Sequence, residues 1–531
     1  MTEVLVAHSY FLRLDPKQAA KMRPYPPLAT LYAVSMLRRA GHRVALFDAM
    51  LASGAEAFEQ AVRQHRPRLV VLYEDSFNFL SKMCLTRMRE EALRMIAIAR
   101  ASDARVVVAG PDVSDHPGAY LEGGADLALL GEADHTVVEV AGLLLEATSG
   151  QSPQTLALQR VLPSGVAYAT TEGVVCTAKR RNERHLDLLP EPAWDLVDVE
   201  SYRAAWAGEH GFFSLNMAST RGCPYRCNWC AKPVWGQEYA VRSAAAVARE
   251  MASIKRTMSP DHIWFADDIF GLKPGWIGEF ARELKSLDGA IPFMIQSRAD
   301  LMTPAAVAAL AAAGCVEVWL GAESGSQKVL DAMTKDTQVE DILAARRRLG
   351  QAGIRVGFFL QFGYPGETYE DIHLTVAMVR AAMPDEIGVS VSYPLPGTRF
   401  HAMVRDQMEA QFNWVDSADL AMMFRGAYQS PFYRRLHQVL HHDLDFARHK
   451  AHPGTPLVPG DWRVGLSVRE LQRIVDDEWQ EIDRLEVRYR QPQRAAPRAA
   501  VIPMHVAGTV VNRHGDAPPQ VSAAGSRGAD T

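Results

Sequence analysis

The stretch Cys223-Pro224-Tyr225-Arg226-Cys227-Asn228-Trp229-Cys230 contains three cysteines at the spacing C-x3-C-x2-C. Three thiolates this close together can surround one face of an iron–sulfur cluster, because thiolate is the ligand that such clusters require. A cubane with four irons would then be one protein ligand short. An iron without a protein ligand has an open coordination position, so we interpret this stretch as a reactive cluster site rather than a passive electron store.

A structural zinc site is the alternative interpretation of the same cysteines. Zinc sites usually take four ligands arranged as two pairs. The nearest histidines, His210 and His262, lie well outside the loop, so no fourth ligand stands at zinc-like spacing. Disulfides are disfavoured, because six cysteines in 531 residues, with three in one loop, do not form a disulfide scaffold. The spacing favours a cluster and leaves zinc as the alternative.

Length and composition predict a globular protein with more than one domain. A single core rarely grows beyond about 250–300 residues, and this chain has 531. The net charge of −5 gives no general basic field, so we expect no nucleic-acid partner. The start MTEVLVAHSYF lacks the features of a secretory signal, and no apolar run approaches the ~20 residues that span a bilayer. We therefore expect a cytoplasmic protein without a membrane partner.

Residues 1–145 alternate predicted strands with amphipathic helices. Continuous β-branched runs between helices indicate a parallel sheet covered on both faces, in a doubly wound, Rossmann-like domain. A ligand would bind at the carboxyl ends of the strands, and two of these ends have glycine-containing turns. The alternative is that these glycines serve only the turn between a strand and a helix. These turns are Ala109-Gly110-Pro111-Asp112 and Leu130-Gly131-Glu132. The predicted strands are VLVAH (4–8), HRVALFDA (42–49), RLVVLYE (68–74), ARVVVAG (104–110) and DLALLG (126–131).

Residues 206–400 repeat the alternation with longer periods and suggest a partial (β/α)6 barrel. In such barrels the chemistry gathers at the carboxyl ends of the strands, and the cysteine loop follows the first strand directly. The residues singled out at strand ends are Asp267/Asp268, Gln296/Arg298, Glu323/Ser324, Gln361/Gly363 and Tyr393/Pro396. Local roles are the alternative for some of them, since Asp268 would cap the following helix and Arg298 would pair with Asp300 or with a neighbouring strand end. The predicted strands are FSLNMAST (213–220), HIWFADD (262–268), PFMIQSRA (292–299), VEVWLGAES (316–324), IRVGFFLQFGY (354–364) and EIGVSVSYPLP (386–396).

The motifs TRGCPYRCNWC, FADD, LGAESGS, FFLQFGYPGET and YPLPGT resemble the radical SAM superfamily over about residues 213–400. The resemblance implies a 4Fe-4S cluster held by Cys223, Cys227 and Cys230, with S-adenosylmethionine (SAM) at the open iron. One electron would cleave SAM to methionine and a 5′-deoxyadenosyl radical. The resemblance also implies that Trp229 packs on the adenine of SAM and that Glu323 and Ser324 lie near its ribose. Asp267 and Asp268 would contact its methionine amino group, and Gln361 and Gly363 would line the same pocket.

The segments before the cysteine loop resemble the cobalamin-binding domain that precedes many radical SAM enzymes. The resemblance covers most of residues 1–140 and rests on PPLATLYAVSMLRRAGHRVALFDA and VVVAGPDVSDHPGAYLEGGADLALLGEAD. It implies cobalamin at the strand ends, beside Gly110, Gly131 and Glu132. The loop AHSYFLRLDPKQAAKMRPYPP has His8 but lacks the motif Asp-x-His-x-x-Gly. Cobalamin would then be held without that histidine ligand, or has been lost, and we expect that it is retained.

The remaining segments carry weaker signals. Residues 146–205 are interpreted as a linker with a short β-like piece at 165–178, and residues 401–490 as a helical accessory region that shapes the substrate pocket. His437 and His441 share one helix face, which would suit a metal, but no completing motif is present and a packed or solvated face is favoured. Residues 491–531 are rich in Pro, Ala, Gly and Ser and predict a disordered tail.

These resemblances together imply a cobalamin-dependent radical SAM enzyme, similar to the class B methyltransferases, that methylates an unactivated carbon of a small biosynthetic molecule. Flavodoxin or ferredoxin would donate the electron, and no catalytic residue is assigned. Non-methylating chemistry on the same scaffold, such as oxidative cyclisation or ring contraction, is the alternative. A methylthiotransferase is disfavoured, because residues 1–145 contain only Cys84 where further cluster cysteines are expected. A non-catalytic cobalamin or cluster sensor is the alternative from a different class.

Overall fold

The computed structural model describes residues 2–83, 85–146, 155, 162–230, 234–411, 413–454, 457 and 461–491. The predicted tail at 491–531 lies outside these residues apart from Gln491, and Cys84 also lies outside them. Two larger sheets and one two-stranded ribbon make up the β-structure of the described chain.

The first sheet is the predicted doubly wound sheet. Its strands are β1 (Val4–Ala7), β2 (Val44–Phe47), β3 (Leu69–Tyr73), β4 (Arg105–Ala109), β5 (Leu127–Leu129), β6 (Val166–Thr170) and β7 (Gly173–Cys176). Their order is β2-β1-β3-β4-β5-β6-β7, and β1 to β5 run parallel. The order reverses between β1 and β3, where a doubly wound fold places its ligand crevice. The predicted fold class is confirmed for this part of the chain.

Helices cover both faces of this sheet, as its continuous apolar strands require. Successive side chains of a strand point to opposite faces, and accordingly Val4 and Val6 pack in one apolar cluster while Leu5 and Ala7 pack in another. The helices of this half are Pro16–Lys21, Leu28–Arg39, Ala55–His65, Phe79–Lys82, Thr86–Ala101, Pro111–Asp115, Pro117–Glu122 and Asp134–Glu146, with a 3-10 turn at Leu12–Leu14.

The β-like piece at 165–178 is a hairpin that extends the first sheet. Strand β6 pairs antiparallel with β5 through Ala128 and Ala167, and β7 pairs antiparallel with β6. A short apolar run does not reveal its partner strand, so its place in this sheet was not predictable. The outer strand β7 is exposed along its length, including Cys176. The predicted domain boundaries remain predictions.

The second sheet is the predicted partial barrel. The strands of this half are β8 (Ser214–Met217), β9 (Thr220–Arg221), β10 (Ala240–Val241), β11 (His262–Phe265), β12 (Phe293–Ser297), β13 (Cys315–Glu323), β14 (Arg355–Phe362) and β15 (Glu386–Val391). Six of them run parallel in the order β15-β14-β13-β12-β11-β8, which forms a curled half-barrel, and β9 and β10 form a separate antiparallel ribbon. All six predicted barrel strands are therefore present, each within a few residues of its predicted ends.

Helices surround the half-barrel and continue into the accessory region. Several begin with side-chain caps, and Thr368 and Ser467 form capping boxes with acidic residues of the first turn. No described helix combines the length and apolar composition that a membrane-crossing helix needs. The helices are Val199–His210, Ala244–Met258, Trp276–Ser286, Pro304–Ala313, Gln327–Ala332, Val339–Gln351, Tyr369–Ala382, Arg399–Val404, Ser430–Ala451 and Val468–Tyr489, with 3-10 turns at Leu186–Leu188, Trp194–Leu196, Ala299–Leu301 and Arg405–Gln407.

Candidate active site

The cysteine loop starts beyond the carboxyl end of β8, directly after the short strand β9. Gly222 opens the loop at φ 73°, and a Cβ there would overlap the carbonyl oxygen of Glu238, so only glycine fits. Cys223, Cys227 and Cys230 are half-buried. Within the described ranges no three His, Cys, Asp or Glu residues converge on a single ion. A cubane bonds each cysteine to a different iron, so three half-buried thiols of one loop fit a cluster without such convergence.

Asn228, which sequence reasoning missed, anchors the cysteine loop from within. Its Nδ2 donates to Ala332 O at 2.7 Å, and its backbone N donates to Met333 O at 3.0 Å. Its Oδ1 accepts from the hydroxyl of Tyr364 at 2.8 Å, and its backbone oxygen accepts from Phe400 N at 3.0 Å. The loop is thereby tied to segments that follow β13, β14 and β15. Its position as a polar residue between two of the cysteines could have indicated this anchoring role.

Asp267, at the carboxyl end of β11, supports the chain just before the loop. Its carboxylate accepts from Ser219 N at 2.7 Å and Thr220 N at 2.9 Å, and also from the Ser219 hydroxyl. Burial raises the pKa of Asp267 to about 6, although these hydrogen bonds favour the ionised form. The side chain is 1% exposed. Its predicted contact with the SAM amino group remains a prediction, and the structure shows a carboxylate that holds the strand leading to Cys223.

Glu323 ends β13 in a left-handed conformation, at φ 60°. Its Oε1 lies 2.8 Å from Nζ of Lys335, and both side chains are buried. Burial opposes the charge of Lys335, but Glu323 outweighs it and the pKa of Lys335 is raised. The ammonium also lies 5.9 Å from the centre of the Trp229 ring. The structure thus brings two predicted SAM residues, Glu323 and Trp229, to the same buried cation, which sequence reasoning missed.

The other strand-end residues bond to neighbouring elements of the half-barrel. The Ser324 hydroxyl is 3.1 Å from the Thr375 hydroxyl and is fully buried. Gln361 Nε2 donates to Ser392 Oγ at 3.0 Å. Gly363, at φ 78°, donates its N–H to Glu367 at 2.6 Å. These contacts lie within the barrel wall, and the predicted SAM roles of Ser324, Gln361 and Gly363 remain predictions.

Two buried donors near the cysteine loop suit a polar ligand such as SAM. Arg298 pairs with Asp300 at 2.9 Å, as the structural alternative predicted, and its guanidinium lies 3.8 Å from the Tyr225 ring centre. Yet Nη1 of Arg298 and Nε1 of Trp229 are buried without a hydrogen-bond acceptor in the described part of the chain. Buried N–H groups are normally satisfied, so these two point to an acceptor from a ligand. The residues present therefore fit SAM.

The carboxyl edge of the first sheet has the close-packed glycines expected of a cofactor site. Gly110 follows β4 at φ 143°, and a Cβ there would lie 2.5 Å from the Cβ of Glu74. Gly131 follows β5 at φ 70° and donates its N–H to Ser114 Oγ at 3.0 Å. Both glycines follow parallel strands and lie at the same edge of the sheet, which is the edge where a doubly wound fold binds its ligand. This edge fits cobalamin, and the predicted contacts of the two glycines remain predictions.

His8 is not placed to bind cobalt through Nε2. The side chain is 1% exposed, its Nε2 lies 2.9 Å from Asp48 Oδ1, and the same atom accepts from Ala49 N at 3.0 Å. The loop after β1 therefore uses its histidine to hold β2, which agrees with the missing Asp-x-His-x-x-Gly motif.

Glu132 connects the two halves of the molecule. Its carboxylate contacts Nη1 of Arg221 and the backbone N of Glu183, and Asp134 Oδ2 lies 2.8 Å from the same Nη1. Arg221 stands two residues before Cys223, so the cysteine loop is joined to the carboxyl end of β5. The predicted cobalamin contact of Glu132 remains a prediction, and Arg221 is a site residue that the sequence did not reveal.

Asp268 also bridges the two halves of the molecule. Its Oδ1 lies 2.5 Å from Nζ of Lys82, which ends the short helix after β3. Its predicted SAM contact remains a prediction. The two neighbouring aspartates thus have different partners: Asp267 supports the chain after β8, and Asp268 contacts the first half of the molecule.

Comparison with known proteins identifies two domains. A family model described as the radical SAM superfamily matches residues 217–379, and a model described as the B12 binding domain matches residues 23–141. The first range contains the cysteine loop and strands β11 to β14 of the half-barrel, and the second contains strands β2 to β5 of the first sheet. The residues matched agree with the two resemblances recognised in the sequence.

Relatives carry methyltransferase and cyclase names. An uncharacterized methyltransferase of Pyrococcus horikoshii is 23% identical over 397 residues, which cover 73% of this chain and 81% of that protein. An anaerobic magnesium-protoporphyrin IX monomethyl ester cyclase of Cereibacter sphaeroides is 27% identical over 47% of this chain and only 42% of its own length. The radical SAM methyltransferase TsrM of Kitasatospora setae, solved with cobalamin and a [4Fe-4S] cluster, has a TM-score of 0.61 at 18% identity, covering 92% of this chain and 99% of its own. This likeness shows a shared fold.

Proposed function

We propose that the chain, in which a B12-binding domain precedes a radical SAM domain, is a cobalamin-dependent radical SAM enzyme that methylates an unactivated carbon of a small molecule. When bound, the cluster with SAM would supply a 5′-deoxyadenosyl radical, and cobalamin would supply the methyl group. The chain's own residues would hold the substrate between the two cofactors and exclude water.

One observation carries the proposal: the carboxyl edges of the two sheets meet. Arg221, beside the cysteine loop, is buried against Glu132 and Asp134, which follow β5. The glycine turns that fit cobalamin lie at that same edge of the first sheet. A cluster on the cysteine loop would therefore face the cobalamin edge across a short gap, which is the arrangement that methyl transfer to a radical requires.

The residues around the cysteine loop would keep the SAM site rigid and dry. Asn228 and Asp267 fix the two ends of the loop through hydrogen bonds to other strands. The buried N–H groups of Arg298 and Trp229 would bind the polar groups of SAM. Rigid positioning of reacting groups lowers the entropic part of a barrier, so this support is expected to matter for catalysis.

Oxidative cyclisation is the second candidate, because the cyclase of Cereibacter sphaeroides matches nearly half of the chain. Both candidates would cleave SAM reductively, so 5′-deoxyadenosine alone does not separate them. The methyltransferase would also take a methyl group from SAM onto cobalamin, and a cyclase would not. A non-catalytic sensor would release no 5′-deoxyadenosine.

Anaerobic reconstitution with iron, sulfide and aquocobalamin, followed by incubation with titanium(III) citrate and SAM carrying a CD3 group, tests the proposal. The titanium(III) reductant supplies the electrons that convert aquocobalamin to cob(I)alamin, the methyl acceptor, and that reduce the cluster. We expect label in the cobalamin fraction, together with S-adenosylhomocysteine and slowly formed 5′-deoxyadenosine. Label that stays out of cobalamin would exclude the methyltransferase while 5′-deoxyadenosine would still support radical chemistry. Neither product would favour the sensor.

The cluster is tested separately with matched cysteine variants. Cys227→Ala should abolish the charge-transfer absorbance of the cluster and the EPR signal of its reduced form. Cys176→Ala is the control, because Cys176 is exposed on β7 in the other half of the chain. A wild-type cluster signal in Cys227→Ala would overturn the assignment of the cysteine loop.

The electron donor and the location complete the proposal. Arg226 is exposed between Cys223 and Cys227 and gives a basic group beside the cluster, which suits an acidic carrier such as flavodoxin or ferredoxin. The cluster needs reduced thiols, so we propose a cytoplasmic location. Reduction of the reconstituted cluster by flavodoxin, and its slowing in Arg226→Glu, would test the donor.

A further inference from the structure

Arg221 joins the cysteine loop to the cobalamin edge through a buried three-residue ion cluster. Its Nη1 contacts the Glu132 carboxylate and lies 2.8 Å from Asp134 Oδ2, and its Nη2 lies 3.3 Å from Asp134 Oδ1. Arg221 and Glu132 are each 6% exposed, and Asp134 is 4% exposed. Burial opposes the charge of Arg221, but the two carboxylates outweigh it and raise its pKa. The guanidinium therefore remains a cation within the interface.

Aromatic rings from both halves of the molecule surround this guanidinium. Its centre lies 5.2 Å from the ring of Tyr32 and 5.7 Å from that of Phe77, both in the first half. The ring of Trp235, which follows the cysteine loop, lies at 5.9 Å. A planar guanidinium can donate to both Asp134 oxygens while it lies among ring faces, and a lysine ammonium cannot match this arrangement.

We propose that Arg221 is a positioning residue that sets the distance between the cluster and cobalamin. In this role it is a ligand of neither cofactor and acts through the backbone of the cysteine loop. The inference rests on the proposed function only in placing both cofactors in one chain, and it does not require that methyl transfer follows.

The short connection from Arg221 to Cys223 is stiff enough to transmit position. Arg221 pairs with Ala240 in the ribbon of β9 and β10. Gly222, the only residue between Arg221 and Cys223, packs against the backbone at Glu238 so closely that a Cβ would overlap it. A shift of the Arg221 backbone would therefore move the first cluster cysteine with it, and the buried guanidinium contacts oppose such a shift.

Arg242 provides a matched control within the same region. It forms an equally buried ion pair with Glu250, and its Nη1 also donates to Ala218 O at 3.1 Å. Both partners belong to the half-barrel half of the chain, and the pair does not involve Glu132 or Asp134. Its loss should damage the barrel without releasing the cysteine loop from the first sheet.

The test measures the spin–spin interaction between cob(II)alamin and the reduced cluster by pulsed EPR, in protein reconstituted with aquocobalamin, iron and sulfide and then reduced anaerobically with dithionite. Arg221→Met and Arg221→Lys should retain both cofactors but lose the single wild-type distance, with a weaker interaction and a broader distance distribution. Arg242→Met should retain the wild-type distribution even where its melting temperature falls.

Two outcomes would overturn the inference. One is a wild-type distance distribution in Arg221→Lys or Arg221→Met with both cofactors bound. The other, used if the arginine variants fail to bind a cofactor, is a wild-type distribution in the double variant Glu132→Gln/Asp134→Asn, which leaves Arg221 in place without its charged partners. Failure of the proposed function would appear differently, as wild-type protein that binds no cobalamin or that transfers no label.

Discussion

Nζ of Lys335 lies 2.8 Å from Oε1 of Glu323, and the pair is packed over Gly321, where a Cβ would lie 2.7 Å from that Nζ. The glycine therefore leaves the space in which the ion pair is buried. Because Lys335 also lies beside the Trp229 ring, the pair links the end of β13 to the cysteine loop. A buried pair of this kind is stable only while both partners are present.

Removal of one partner of this pair should destabilise the protein strongly. Glu323→Ala leaves a buried ammonium unpaired, and we expect a loss of about 3–5 kcal/mol, measured as a fall in the melting temperature of the apoprotein. The double variant Glu323→Leu/Lys335→Met should be more stable than Glu323→Ala, because no charge remains buried. Glu59→Ala is the control, since its pair with Arg63 is exposed and worth at most about 1 kcal/mol. An unchanged melting temperature in Glu323→Ala would contradict the prediction.

Asp267 should give the apoprotein a pH-dependent stability between about pH 4 and pH 6. Its pKa is raised to about 6 by burial, above the ordinary carboxyl value of about 4, so the native state binds the proton more tightly than the unfolded state. Relative to Asp267→Asn, wild-type stability should be highest below about pH 4 and fall until about pH 6. Thermal unfolding of both proteins across this range measures the difference, on the order of 3 kcal/mol in total.

A second variant sharpens the Asp267 prediction. Ser219→Ala removes a hydroxyl that donates to the ionised carboxylate, so the pKa of Asp267 should rise further. The fall in stability with pH should then continue to a higher pH than in the wild type. A difference between wild type and Asp267→Asn that stays constant or grows from pH 4 to pH 6 would show that the carboxyl pKa is not raised.

Gly110 should be required for the cobalamin edge. Gly110→Ala places a Cβ 2.5 Å from the Cβ of Glu74 in addition to the strain of φ 143°, so the turn after β4 must move. We expect cobalamin retention after gel filtration, followed by its visible absorbance, to fall severalfold. Gly41→Ala is the control, because Gly41 has φ 93° but no atom within 4 Å of a Cβ. Equal cobalamin retention in the two variants would remove Gly110 from the site.

The sequence predicted the elements better than the contacts between them. Runs such as Val4–Ala7 and Leu69–Tyr73 are apolar at every position, so their burial in a parallel sheet follows from composition alone. The cysteine spacing likewise indicated its chemistry, because all three ligands lie within eight residues. A sequence pattern is enough to predict a site whose residues are close together in the chain.

Partners that are distant in the chain could not be predicted. Arg221 meets Glu132 and Asp134 across nearly ninety residues, and only the docking of two sheets brings them together. Lys335 meets Glu323 after a helix and a turn whose path the motif LGAESGS does not encode. Buried charges look like surface charges in a sequence, because their burial depends on the tertiary fold.

His437 and His441 should cause loss of stability on acidification rather than bind a metal. Their rings are 4.6 Å apart, and burial lowers their pKa values to about 3 and about 4, although Asp445 opposes the shift at His441. The ordinary value is about 6.5, so the unfolded state takes up protons first, and their contribution is complete above about pH 6.5 and lost as the pH falls towards 4. His437→Gln and His441→Gln should therefore flatten the decline in melting temperature between pH 6.5 and pH 4, whereas the exposed His185→Gln should not. A rise in the wild-type melting temperature on addition of Zn²⁺ that both variants lose would instead favour a metal site.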